Sequence, residues 1–241
     1  MQIPELPQEE TVSRQFTEEQ IKIEQANFMS RVYAWMSGAL LLTGSIAYGV
    51  SITPEIVEFI FGNRIVFYAL LFAEILCVGF IAARINKISA DTAIIMFMGY
   101  AALNGLTLSV IFLVFTSASL TTTFAVTAGT FGVMSIYGYY TKTDLTTIGN
   151  LAFMGLIGLI IASVVNFFFQ NEMLYWITTY AGVLIFVALI AYDTQKIKNM
   201  NIIGNEGTDE DKKESILGAL TLYLDFINLF LYLLRLFGRR K

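Results

Sequence analysis

No histidine occurs anywhere in these 241 residues, and there is one cysteine. The first absence excludes a serine–histidine hydrolase and any histidine-ligated zinc or di-iron centre. It also leaves pH sensing near neutrality to carboxylates, because imidazole is the side chain that ordinarily titrates there. The second absence excludes an intramolecular disulfide. Cys77 lies inside an apolar run and reads as a small buried apolar residue. Proline is scarce too: Pro4, Pro7 and Pro54 all fall outside the long apolar blocks, so the helices there should be unbroken. Charge is thin, at 14% of residues against about 25% in an ordinary soluble domain. The net charge of −4 comes largely from two acidic stretches, and nothing in it suggests nucleic-acid binding.

What is present is apolar sequence. The chain is 56% hydrophobic, with 20 Phe and 12 Tyr and a mean hydropathy of +0.66. The apolar residues fall in blocks long enough to cross a hydrocarbon core of about 30 Å as helices. Seven spans are expected, at 28–50, 65–83, 92–115, 120–140, 147–169, 173–192 and 215–237. The fold class is therefore an all-α integral membrane protein with seven transmembrane helices in one domain, 28–241. Residues 1–27 read as an acidic cytoplasmic tail. They lack the basic and apolar regions of a signal peptide, and Thr17 with Gln20 could cap a short helix over 18–25. The acidic linker at 199–214 should be solvated and mobile. Glycines recur inside the spans (Gly38, Gly44, Gly99, Gly105, Gly129, Gly132, Gly155, Gly158, Gly182), where small residues let helices approach closely.

A cytoplasmic N-terminus places Arg14, Lys22, Arg31, Arg84, Lys87, Lys142, Lys196, Lys198, Lys212 and Lys213 inside, with Arg64 in an outer loop. That is the usual bias of inner loops toward Lys and Arg. The conflict is at the end, where seven full crossings leave Arg239, Arg240 and Lys241 outside. Either the last segment stops short or the C-terminus breaks the rule.

Against this background a few charges stand out. Glu74 lies within 65–81, Asp193 ends the run that starts near Tyr175, and Asp225 lies inside 217–237. An ionised carboxylate at the centre of a bilayer costs about 2.5–3.5 kcal/mol even on lenient scales, and such residues mark ion paths, proton relays or paired networks. Asp193 falls near the cytoplasmic end of the sixth span. Asp225 lies about ten residues, roughly 15 Å, along the seventh. Each also has a structural reading. Asp193 could be an interfacial residue paired with Lys196 one turn later, and Asp225 could serve one interhelical hydrogen bond. Asn104, Asn166 and Asn228 read as interhelical hydrogen-bonding groups, with Asn228 placed one turn from Asp225 to orient it. Arg31 should extend its head group to the interface.

Several segments resemble the Bax inhibitor-1 (transmembrane Bax inhibitor motif) family. They are Arg-Val-Tyr-Ala-Trp-Met-Ser-Gly-Ala-Leu-Leu-Leu-Thr-Gly at 31–44, Ala-Leu-Asn-Gly-Leu-Thr-Leu-Ser at 102–109, and 131–144 with its Ser-Ile-Tyr-Gly-Tyr-Tyr-Thr-Lys-Thr-Asp. The most specific are Ala-Tyr-Asp-Thr-Gln-Lys-Ile at 191–197 and Leu-Tyr-Leu-Asp-Phe-Ile-Asn-Leu-Phe at 222–230. The resemblance implies that the last helix is central among the other six, and that the protein is a bacterial member passing calcium in a pH-sensitive leak. It implies a sensor pair at Asp193 and Asp225, which would also meet the calcium ion, and a latch from Arg84. It further implies a supporting polar pair between Glu74 and Arg235, which also reads as a structural ion pair. The acidic 199–214 loop and N-terminal tail depart from the family, as does the absence of a long basic C-terminal tail.

Two carboxylates in one low-dielectric site share a proton rather than ionise together. Acid should weaken the Arg84 contact, and full deprotonation should draw a hard cation. Calcium prefers such oxygen ligands. The function expected is a pH-sensitive calcium-leak channel of the bacterial inner membrane, with protons, calcium and the lipid bilayer as partners, and with neither a cofactor nor enzyme activity. The alternative is a membrane interaction protein engaged by a membrane quality-control protease through its acidic tail. A proton-coupled transporter and an intramembrane aspartyl protease fit less well: no inverted repeat is evident, and the Tyr-Asp at 192–193 has no Gly-x-Gly-Asp companion.

Overall fold

A computed structural model describes residues 16–241. The acidic residues 1–15, with Arg14, lie outside it. Helix α1 (Glu18–Ser51) opens with a capping box in which the Gln20 N–H donates to Thr17 Oγ1 and the Thr17 N–H donates to Gln20 Oε1. The expected cap is present, but the helix it starts is not a short one. Nothing between Gln25 and Phe28 breaks it, so residues 18–27 and the first span form one helix of 34 residues, about 51 Å long. After a bend of 100° comes α2 (Pro54–Phe61), with Pro54 in its first turn.

Helix α3 (Arg64–Arg84) starts at Asn63, whose Oδ1 accepts from the Ile65 N–H, and runs into a 3₁₀ turn at Ile85–Lys87. Helix α4 (Ala90–Leu108) is capped by Ser89, α5 (Val110–Val114) prolongs it, and α6 (Ser117–Tyr140) is capped by Thr116. Helix α7 (Thr146–Phe169) ends at Gln170 in the left-handed region. Helix α8 (Glu172–Met200) starts at Asn171, and α9 (Asp209–Phe237) starts at Thr208. Among the described residues six helical stretches are each long and apolar enough to cross a membrane, and the bent α1–α2 pair, taken as one span, makes a seventh.

The last helix is central. It buries Ile216, Ala219, Leu222, Tyr223, Phe226 and Leu229 on all its faces, the pattern of a helix hydrophobic all round. It packs on α8, α1, α6 and α4. Helices α3 and α7 stand outermost, chiefly against α4 and α8, and Ile81 is the one buried residue of α3. Ile65, Phe72 and Ile75 of α3 and Leu151, Phe153 and Ile160 of α7 are exposed, as lipid-facing positions should be. Inside, Thr43 Oγ1 donates to the Ala101 carbonyl (2.8 Å). Its lone pair therefore accepts from the Tyr223 hydroxyl (2.7 Å).

Close helix approach rests on fewer glycines than expected. Gly105 and Gly182 abut Ile46 and Tyr232, and Gly155 lies by Ile185, whereas Gly38, Gly44, Gly99, Gly129, Gly132 and Gly158 face open space. Two glycines not singled out above are tighter: Gly138 against the backbone of Ala191, and Gly149 against the Tyr192 ring. A methyl group on Gly138 has only backbone to displace. We expect Gly138→Ala to destabilise the fold by about 1–3 kcal/mol through overpacking at the α6–α8 contact, read as a lowered unfolding midpoint in detergent. An unchanged midpoint would show that the contact yields freely.

The two ends of the bundle are distinct. At one end α9 runs its full length, and the C-terminus then folds back on the α5–α6 turn. There the Lys241 N–H donates to Val114 O (2.9 Å), and the Thr116 N–H donates to Arg239 O (3.1 Å). The last segment therefore does not stop short. At the opposite end the loop between α8 and α9 is tied to α1 by hydrogen bonds and an ion pair. Arg31 Nη2 donates to both oxygens of Asp211 (2.8 Å each), and Nη1 to Glu206 (3.2 Å). The Gly204 N–H donates to Glu24, and the Gly207 N–H to Asp211. The 199–214 stretch is largely exposed, as expected of a solvated loop, and it is tied to α1 through Arg31, which pairs with Asp211 and Glu206 instead of standing free at the interface. Also at this end, the hydroxyl and then the N–H of Thr146 hold the exposed Asp144 carboxyl below its usual range. That contribution is present above the ordinary carboxylate pKa and lost as pH falls through the lowered one.

Candidate functional site

Helices α8 and α9 bring Asp193 and Asp225 together. Both side chains are buried, at 9% and 5% exposed, and they line one cavity with their carboxyls close enough to act on each other. A carboxylate only accepts, so a hydrogen bond between two of them requires a proton on one. Asp225 Oδ2 has no hydrogen-bond partner among the described residues.

This dyad lies on the wall of a cavity of about 850 Å³ between α7, α8 and α9. From α9 the cavity takes Thr221, Asp225, Asn228, Tyr232 and Arg235. These positions fall at intervals of three and four along one helix face and span about 21 Å. Asn150 and Ser163 face it from α7, and Lys196 from α8. Ser163 and Arg235 also line a second cavity, of about 480 Å³, that reaches Arg240 at the C-terminal end. Polar groups thus follow one another along much of the bundle's length.

The other expected site residues are placed differently. Arg84 is exposed at the end of outer helix α3. The ion pairs among the described residues are Arg31–Glu206, Arg31–Asp211 and Lys213–Asp209. No Arg84 latch is formed, because α3 packs chiefly on α4, away from the dyad. The cation whose charge bears on Asp193 is Lys196, one turn along α8, with its ammonium beyond ion-pair distance.

Glu74 and Arg235 are not paired either. Glu74 Oε1 accepts from Thr107 of α4 (2.8 Å), while the Arg235 guanidinium lies 5.1 Å from the Tyr232 ring centre and 5.9 Å from that of Tyr175. The two residues face different neighbours, α4 and the α7–α8 side. Asn228 lines the cavity beside Asp225, but its amide donates to Leu224 O (2.8 Å) rather than to the carboxyl. Among the described residues no group of three or more acidic, cysteine or histidine side chains is placed to hold a metal. A hard cation at the dyad would have two carboxylates and would complete its shell with neutral oxygens.

A family model described as inhibitor of apoptosis-promoting Bax1 matches residues 25–241. The chain belongs to the Bax inhibitor-1 family. It is 52% identical over 215 residues to the inner membrane protein YbhL of Escherichia coli, covering 89% of this chain and 92% of that one. An uncharacterized protein of Borreliella burgdorferi is 44% identical over 214 residues, covering 89% and 92% of the two chains. One of Deinococcus radiodurans is 36% identical over 233 residues, covering 97% of each. The two most specific Bax inhibitor-1 segments, 191–197 and 222–230, are the stretches of α8 and α9 that carry the dyad. Composition alone had no means of finding the Arg31–Asp211 contact, because its members stand 180 residues apart.

Proposed function

We propose that this protein is a pH-sensitive calcium-leak channel of the bacterial inner membrane, with Asp193 and Asp225 as its sensor and ion-binding pair. One observation carries the reading: the two carboxyls lie close together, buried, on the wall of a cavity between α7, α8 and α9 that also takes Asn150, Ser163, Lys196 and Asn228. With one proton between them the pair bears a single negative charge facing Lys196, and α8 and α9 stay together. Loss of that proton puts two like charges in contact in a low dielectric, a strongly unfavourable state. A calcium ion relieves it by taking both carboxylates as ligands. Protons and calcium therefore compete for one site. In this reading Lys196 occupies the place expected of Arg84.

The N-terminus is cytoplasmic in this proposal. Arg84, Lys87, Lys142, Lys196, Lys198, Lys212 and Lys213 cluster at the end of the bundle where α1 begins, which agrees with the positive-inside rule. The name of the Escherichia coli relative supports the inner membrane as location. The test is calcium flux into liposomes carrying the purified protein, measured from about pH 5 to pH 8, a range that brackets shared-proton carboxylates. A pH-dependent flux is expected. Flux no greater than that of empty liposomes at every pH would sink the proposal.

A further inference from the structure

We propose that the cavity at the C-terminal end of α9 binds an anionic phospholipid, whose phosphate is held by Arg235 and Arg240. Both arginines line this cavity of about 480 Å³ between α5, α7, α8 and α9, and no acidic side chain does. Neither belongs to the ion pairs of the described residues. Arg235 has the rings of Tyr175 and Tyr232 beside it where a membrane cation ordinarily has a counter-charge. Both side chains are exposed, so their guanidinium groups are open to a ligand. The backbone fixes Arg240 in place. It pairs with Phe115 in an isolated bridge, and the Arg239 N–H beside it donates to Ser119 Oγ (2.9 Å). From α7, Asn166 adds a donor to the wall: its Oδ1 accepts from the Asn171 N–H (2.9 Å), which leaves its amide N–H groups for a ligand.

The lining names the occupant's chemistry. A guanidinium presents paired N–H donors that match phosphate oxygens. Beside the arginines, Ile111, Phe115, Phe167 and Leu231 give the same cavity an apolar wall suited to an acyl chain. A soluble phosphate would leave that wall uncovered. Depth agrees with a headgroup. Arg235 lies in the last turn of α9, and Trp176 and Tyr180 are exposed on α8 next to Tyr175. Trp and Tyr rings gather at the headgroup level of a bilayer. The charge balance agrees as well. At this end of the bundle Glu55, Glu58 and Glu172 stand against Arg64, Arg235, Arg239, Arg240 and Lys241. Glu172 is the nearest acid in the lining: it belongs to an adjoining cavity with Asn166 and Tyr175, and it pairs with neither arginine.

The experiment reads the fluorescence of Trp176, next in sequence to the cavity-lining Tyr175, in full-length protein carrying Trp35→Phe so that Trp176 is its one tryptophan. The protein is reconstituted in phosphatidylcholine vesicles containing increasing fractions of brominated phosphatidylglycerol or, separately, brominated phosphatidylcholine as quencher. Phosphatidylglycerol should quench at the lower fraction. Arg240→Gln should weaken that preference by roughly fivefold, and Arg235→Gln/Arg240→Gln should abolish it. Arg240 lies beyond the end of α9, so its single variant serves if the double one fails to fold. Arg239→Gln removes the same charge from a residue outside the cavity lining and should leave the preference unchanged. Equal quenching by the two brominated lipids, or an unchanged preference in Arg240→Gln, would overturn the proposal. An equal loss in Arg239→Gln would overturn it in favour of general surface charge, and reversal of the quenching by inorganic phosphate would overturn it in favour of a soluble anion. The proposal stands apart from the channel reading, because quenching reports lipid contact whether or not calcium passes.

Discussion

Asp225→Asn should remove the pH dependence of calcium flux and lower the flux itself by roughly tenfold or more, because it removes both the titrating proton and one carboxylate ligand of the ion. The substitution keeps the shape of the side chain. Its amide can still donate to Asp193, so the α8–α9 contact is retained without a titrating proton. What it removes is the second negative charge and the second carboxylate ligand, which are the features that let protons and calcium compete. Asp193→Asn should act in the same direction, since the pair titrates as a unit. Lys196→Gln should instead shift the pH at which flux changes and leave the dependence in place, because it alters the charge facing the dyad and not the dyad. Flux in Asp225→Asn with the wild-type pH profile would show that the pair is a structural hydrogen bond.

The largest effect on stability is expected from Arg31→Ala, at about 2–3 kcal/mol, less than for a fully buried ion pair because the Arg31 side chain is 32% exposed. Asp211 is only 1% exposed, and it accepts from Arg31 at two points and from the Gly207 N–H. Without the guanidinium its charge is buried beside Glu206, which loses an Arg31 contact as well. Arg31→Lys should recover part of the loss, since an ammonium cannot reach Asp211 and Glu206 with the same planar fork. The double variant Arg31→Met/Asp211→Leu should be less destabilised than the sum of the two single changes, because it leaves no orphaned charge. Denaturation in detergent of these variants, of the single changes Arg31→Met and Asp211→Leu, and of the unaltered protein measures this. A cost below about 1 kcal/mol for Arg31→Ala, the range of an exposed pair, would show that the loop is held by its backbone contacts instead.

The residues differ in how far they could be read in advance. The Thr17 cap is a contact over three positions, and the chain alone predicts it correctly. Asp193 and Asp225 could be singled out because an acid in an apolar run is anomalous whatever surrounds it. The acidic 199–214 stretch reads correctly as a solvated loop, but its ties to Glu24, Asn27 and Arg31 were not legible, because those residues lie far away on α1. Glu74 and Arg235 failed as a pair for a related reason. Each needs a polar neighbour, and Glu74 found one in Thr107 while Arg235 found the rings of Tyr175 and Tyr232.

Sequence by itself therefore determined the helices, their approximate ends, and the presence of acids that a bilayer should not tolerate. Those are properties of length, hydropathy and local capping, which act over a few turns of chain. Tertiary structure alone decided which charges meet: Asp193 with Asp225, Arg31 with Asp211, and Arg84 with no carboxylate among the described residues. A helix offers a different set of side chains to each neighbour as it rotates about its axis, so partner choice depends on packing angles that a hydropathy pattern does not encode.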